Sequence, residues 1–308
     1  MSVSDSRSDA TAMLVALVFL GLLAQPAFGY VRTTSERSGK PLFWGVRCIP
    51  MQPDARGSQD LPLGLFQQTL AQAARNWTSQ TSRCSSLVIF GVEADGVVTT
   101  GADDHHIVTF VEDEWTDNGG IVAKTLVWHI DAPGKPNDGL IVDADIKLNG
   151  YQYTFITDAA TPARPNTDVA DLEGTLTHEL GHVMGLNHTC WDESGAQPYD
   201  DQGGPVLKCA NQGDLPASVT EATMYPYTQP PGTTRMRHVT DDDARGICGP
   251  YPSGSNAACF ARLQGGCACE LGGGGASSWP IAWLGLLFAL SYRRATVKSR
   301  PRRRSLRR

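Results

Sequence analysis

The eleven residues from His178 to His188, H-E-L-G-H-V-M-G-L-N-H, restrict this chain more than anything else in it. Residues four apart on a helix share one face, so His178 and His182 present their imidazoles to a common point. Two neutral imidazoles at that spacing can grip a zinc ion, with Zn–N bonds of about 2.0–2.1 Å. Glu179, beside the first of them, reaches a water on the metal rather than the metal itself. Gly185 can take a positive φ without strain, which lets the chain leave the helix and bring back His188 as a third ligand. Three protein nitrogens and one open position make a catalytic rather than a structural zinc site. Five fixed residues at roughly one-in-twenty odds each recur by chance about once in three million windows, so coincidence is a poor explanation.

The residues around this segment predict a sheet with helices packed on it. Thr167 to Leu186 reads as the helix that carries the motif, with Asn166, Thr167 or Asp168 as its cap and acids in its first turn. Leu65, Phe66, Leu70, Ala73, Ala74 and Trp77 recur at helical spacing within Leu63 to Gln80, which predicts a second helix. Ser85 to Val92, Ile107 to Glu112, Lys124 to Ile130 and Leu140 to Leu148 read as strands. Gly-, Pro- and Asp-rich loops dominate after Asn187, so the last third should hold little regular structure. The expected class is α+β, with a twisted mixed sheet, an active-site helix and a loop-rich C-terminal subdomain.

Composition matters chiefly at the two ends. Met13 to Ala24 is an apolar run too short to span a membrane comfortably, and Ala27 and Gly29 suit cleavage of a secretory signal over residues 1–29. Residues 30–38 follow as a short N-terminal segment, and 39–252 as the expected catalytic domain. A Gly- and Cys-rich stretch (253–275) leads to an uncharged segment (276–292), near the lower limit for a membrane-spanning helix. The tail from Arg293 to Arg308 carries nine Lys and Arg and no acid, and should stay cytoplasmic during export. Setting aside these nine, together with Asp5, Arg7 and Asp9, leaves 16 basic against 30 acidic side chains, which argues against nucleic acid as a partner. The order of Cys-containing stretch, apolar segment and Arg cluster resembles the C-terminal sorting signals of myxobacterial surface proteins. That resemblance implies a protein at the cell surface or secreted, with Cys267 or Cys269 taking part in sorting. A permanent one-span anchor is the plainer alternative. In an exported chain the other cysteines read as disulfides, and proximity in sequence favours Cys48–Cys84, Cys190–Cys209 and Cys248–Cys259. The expected form is a monomer.

His178 to His188 also matches the signature H-E-x-x-H-x-x-G-x-x-H of the metzincin metallopeptidases, and the chain resembles that family. Ala222 to Tyr227 (A-T-M-Y-P-Y) resembles its methionine-bearing turn beneath the zinc, with Met224 as the turn residue. Within the family the nearest likeness is to the matrixins. Val239 to Pro252 looks like their closing helix and following turn, and Leu140 to Asn149 resembles the strand along which they lay a peptide substrate. The resemblance implies a zincin fold and a zinc endopeptidase in which Glu179 is the general base towards a zinc-activated water. Its partner would be a protein or peptide substrate. Pro226 stands where some metzincins have a tyrosine, which leaves Tyr225 and Tyr227 as the nearby phenols. Only about ten residues separate Gly29 from Gly39, too few for the matrixin propeptide, so latency through Cys48 is not expected. Calcium is a further possible ligand, at Asp143 and Asp145 or at Asp200 and Asp201. Two other classes remain open: a surface adhesin that keeps the fold, and a zinc amidase acting on cell-wall peptide.

Overall fold

The computed structural model describes residues 29–254 and Cys259, apart from 95, 97–98, 118–119, 159–162 and 228–232. The expected signal sequence (save Gly29), the sorting stretch with Cys267 and Cys269, the apolar segment 276–292 and the basic tail lie outside the described residues. No helix among the described residues is long and apolar enough to cross a membrane.

The fold is mixed α/β around a six-stranded, mostly parallel sheet. The short β1 (Phe43–Trp44), β2 (Cys48–Pro53), β3 (Val88–Gly91), β4 (Ile107–Phe110) and β6 (Leu140–Leu148) are joined by parallel pairings, while β5 (Ala123–His129) runs antiparallel to β6. The order is β3-β2-β4-β6-β5. β1 pairs with the start of β6 on the edge that β4 shares. Between β2 and β3 the chain crosses through α1 (Leu63–Thr81), whose Phe66, Leu70, Ala73, Ala74 and Trp77 are buried as their spacing predicts. Parallel strands need such a helical crossover, since a tight turn cannot reverse the direction twice.

Leu140 to Leu148 is a strand with the expected bounds, but not the substrate strand that the resemblance implied. β6 is paired on both edges, and Ile141, Ala144, Ile146 and Leu148 are buried. β5 takes the outer place. All its residues are half-buried, and among the described residues no strand pairs with its other edge.

The motif helix is shorter than expected. Asp168 to Asp171 forms strand β8, parallel to β7 (Tyr153–Ile156), and α2 spans Leu172–Val183. Its cap is therefore Asp171, whose carboxylate accepts from the Gly174 amide at 2.9 Å, rather than Asn166, Thr167 or Asp168. Asn166 sits at a φ of 62°, which no helix start permits. All residues of α2 except Glu173 and His182 are buried, so the core surrounds it on most sides. Two indoles hold it there: Trp77 Nε1 donates to the Thr177 carbonyl and Trp44 Nε1 to the Val183 carbonyl, each at 2.7 Å.

The C-terminal part is loop-rich, with the short helices α3 (Ala217–Thr220) and α4 (Asp241–Cys248). The acids Asp241, Asp242 and Asp243 occupy the first turn of α4 behind the cap Thr240, where negative charge suits the helix dipole. Among the described residues, three disulfides tie the chain. Cys190–Cys209 is the expected pair, but Cys48 joins Cys259 and Cys84 joins Cys248. Proximity in sequence misleads here because the chain after α4 runs back along the residues after α1. Ser86 donates to the Tyr251 carbonyl at 2.9 Å and Ser85 bridges to Pro252, which brings the last part of the domain to Cys84. Cys48 is accordingly disulfide-bonded, in keeping with the expectation that it does not cap a metal.

Candidate metal centre

α2 and the turn after it gather three imidazoles. His178 and His182 stand one turn apart on α2, with ring centroids 4.9 Å apart. Gly185 takes a φ of 89° and turns the chain out of the helix; a Cβ there would lie 3.1 Å from the Leu42 carbonyl oxygen. That turn returns His188 to the same point, 4.7 Å from the His182 ring and 5.2 Å from the His178 ring. One nitrogen from each ring lies within 4.8 Å of the others, and among the described residues no other set of three His, Cys, Asp or Glu does this.

Two of the rings are held from behind. His178 Nδ1 lies 2.7 Å from the Thr223 carbonyl, and His182 Nδ1 lies 2.9 Å from the Leu186 carbonyl. A carbonyl only accepts, so both Nδ1 atoms carry a proton, which leaves Nε2 as the nitrogen that each of these rings turns towards a metal. His182 Nε2 and His188 Nε2 are 3.1 Å apart, close enough to share a proton or a cation. Burial and the neighbouring His182 push the pKa of His178 down to about 3. Burial also holds His188 well below the usual histidine value, with His182 and His178 adding to the effect. Neutral imidazoles are what a metal requires.

The backbone around His188 is pinned from two directions. On one side, residues ahead of Gly39 pack on the helix exit: Thr33 donates to the Gly185 carbonyl at 3.0 Å, and Asn187 to Val31 at 2.8 Å. The Arg32 guanidinium donates to the Met184 carbonyl at 3.2 Å and to the Gly246 carbonyl at 3.0 Å. On the other side, Thr189 donates to the Met224 carbonyl at 3.1 Å, and Cys190 is locked to Cys209.

Met224 lies beneath, 1% exposed, with its sulfur against Gly181 of α2. Its neighbour Thr223 supplies the carbonyl on His178 and is itself tied to α4, since the Thr223 amide donates to Asp243 at 2.7 Å. Asp243 is fully buried and its pKa is raised by that burial.

Glu179, also buried, has its pKa raised by desolvation. Thr125 Oγ1 donates to Glu179 Oε2 at 2.6 Å, a contact from β5 across to α2. Sequence patterning gives no sign of it, because the two residues stand 54 apart in the chain. The histidines and Glu179 line a cleft of about 740 Å³ that runs along Ala123, Lys124, Thr125 and Val127 of β5. Pro226 and Tyr227 form part of its wall. Tyr225 instead packs with Cys190, Cys209 and Val219 in a separate apolar cluster.

Three of the four acids considered for calcium accept hydrogen bonds from the protein. Asp143 accepts from the amides of Asp103 and Asp104, at 2.7 and 2.9 Å, and faces His106 Nδ1 at 2.8 Å. Asp145 accepts from Gly101 and Ile107, both at 2.8 Å. Asp200 closes its own turn through Gln202 and Gly204, at 3.0 and 2.7 Å. No protein-family model matches this chain, and no curated protein matches it.

Proposed function

We propose that the domain is a zinc-dependent endopeptidase of the metzincin kind, nearest to matrixin catalytic domains, working outside the cell. One observation carries the reading: three imidazoles and the Glu179 carboxylate meet at the floor of a cleft whose side is a strand edge left unpaired among the described residues.

The donor set fits the metal. Three nitrogens suit zinc, whereas calcium and magnesium take oxygen ligands. His178, His182 and His188 would hold it, with the Thr223 and Leu186 carbonyls fixing two of the rings. When bound, zinc supplies Lewis acidity, which polarises a peptide carbonyl and makes hydroxide available near neutral pH.

The protein's own groups do the rest. An extended peptide would pair its backbone with the outer edge of β5, which lays the scissile bond across the cleft. Glu179 takes the proton of the attacking water and later passes it to the leaving amine. Its raised pKa brings it closer to a working pH near neutrality, which favours both transfers. An adhesive surface protein would have no use for a buried carboxylate at this point.

The test is hydrolysis of denatured casein by the zinc-loaded protein and by Glu179→Gln. The variant should keep its zinc and its melting temperature while turnover falls by about 10²–10⁴. Full activity in Glu179→Gln would overturn the mechanism. A zinc-loaded parent that cleaves cell-wall peptide and no protein would move the reading to an amidase.

A further inference from the structure

We propose that Thr125 is a positioning residue for Glu179, so that the strand expected to seat the substrate also aims the base. The inference rests on the peptidase reading and extends it to a residue outside the motif. Thr125 Oγ1 is 2.6 Å from Glu179 Oε2 and 3.2 Å from the Glu179 carbonyl oxygen. A hydroxyl has one proton, and the shorter, charge-assisted contact claims it. The Thr125 backbone amide also faces the Glu179 carboxylate; both donors belong to this one residue of β5, and the hydroxyl makes the short contact that fixes Oε2. The donor itself is rigidly placed: Thr125 sits opposite Ile146 of β6, which is fully buried.

Its position on β5 links two events. Thr125 lines the cleft in the strand whose outer edge is unpaired among the described residues. A peptide that docks on this edge stiffens the same segment that holds Oε2. Loss of the hydroxyl should therefore affect the chemical step rather than binding, because the strand backbone is unchanged.

The test compares Thr125→Val, which keeps the shape and removes the hydroxyl, with Thr125→Ser, which keeps the hydroxyl. In the metal-free full chain labelled with ¹³C at the glutamate carboxyl carbon, the Glu179 resonance is assigned by its absence in Glu179→Gln. It should move in the Val variant and stay in the Ser variant. With zinc restored, the Val variant should lose about tenfold in kcat with KM within about twofold, and Ser should recover most of it. Zinc content and melting temperature check that both variants are folded. An unmoved resonance in Thr125→Val, or a Ser variant as impaired as Val, would overturn the proposal. If the parent cleaves no peptide, the peptidase reading fails, while the resonance still decides whether Thr125 orients Glu179.

Discussion

Gly181 of α2 and Met224 of the turn beneath it touch without a gap: a Cβ on the glycine would overlap the methionine sulfur and come within 2.9 Å of the Trp77 ring. The contact sets the height of the turn, and with it the Thr223 carbonyl on His178. Gly181→Ala should therefore cost about 1–3 kcal/mol of stability, as overpacking does in a dense core, and should lower metal occupancy. Denaturant unfolding of the metal-free protein and metal analysis measure the two effects. A variant with the stability and metal content of the parent would show the turn free to shift.

The Cys190–Cys209 bridge fastens the chain two residues beyond His188. Both cysteines are 1% exposed and pack with Val219 and Tyr225. Replacing both by Ser should cost about 3 kcal/mol in the chain-entropy account of a loop this long. It should also weaken metal binding, read by competition with a chromophoric chelator. Unchanged affinity would mean that the hydrogen bonds of Thr189 hold His188 unaided.

Asp145 gives the domain an acid-side stability contribution. Burial raises its pKa from 3.8 to about 6, although two amide donors pull the other way. The folded state then holds this proton more tightly than the unfolded state, so the contribution is full below about pH 4 and is lost as pH rises through about 6. Relative to Asp145→Asn, the parent should lose roughly 1–2 kcal/mol between pH 4 and pH 7, after allowance for solvent screening. Urea titrations of both metal-free proteins across this range provide the comparison, which also cancels the histidines. Parallel stability curves would refute the assignment.

Chelation should leave a folded protein. The core around α1 and α2 and the three disulfides do not depend on the metal site. Metal at a thousand times its Kd adds about 4 kcal/mol by mass action, so its removal lowers the melting temperature and preserves the far-ultraviolet circular dichroism. Loss of that signal would show that the site organises the fold.

What the sequence displays about the site is what lies close together in it. His178, Glu179, His182, Gly185 and His188 fall within eleven residues; helical geometry sets His178 and His182 on one face, and the turn at Gly185 brings His188 back to them. Met224 was legible through its resemblance to a known turn, and the structure puts it under α2. The contacts that aim these groups are not local. Thr125 reaches Glu179 from another strand, and the Thr223 carbonyl on His178 belongs to the backbone, which side-chain patterns do not report.

The fold follows the same division. α1 and β6 show strong periodicity, and their expected limits lie within a residue of those observed. β2 escapes because Cys48 to Pro53 contains two prolines, which argue against a strand until the pairing partners are known. β8 was absorbed into the helix that follows it, since Val169 and Ala170 suit either state. Which edge of the sheet is open depends on strand order, and strand order is a property of the whole chain.

The two long disulfides are nested: Cys84–Cys248 closes within the span of Cys48–Cys259. A backbone cut anywhere from 85 to 247 therefore leaves both fragments joined by at least two covalent links, and by three between Cys190 and Cys209. A molecule cut there would migrate on a gel as one species until reductant is added, and under oxidising conditions only the mass of one added water would betray the break.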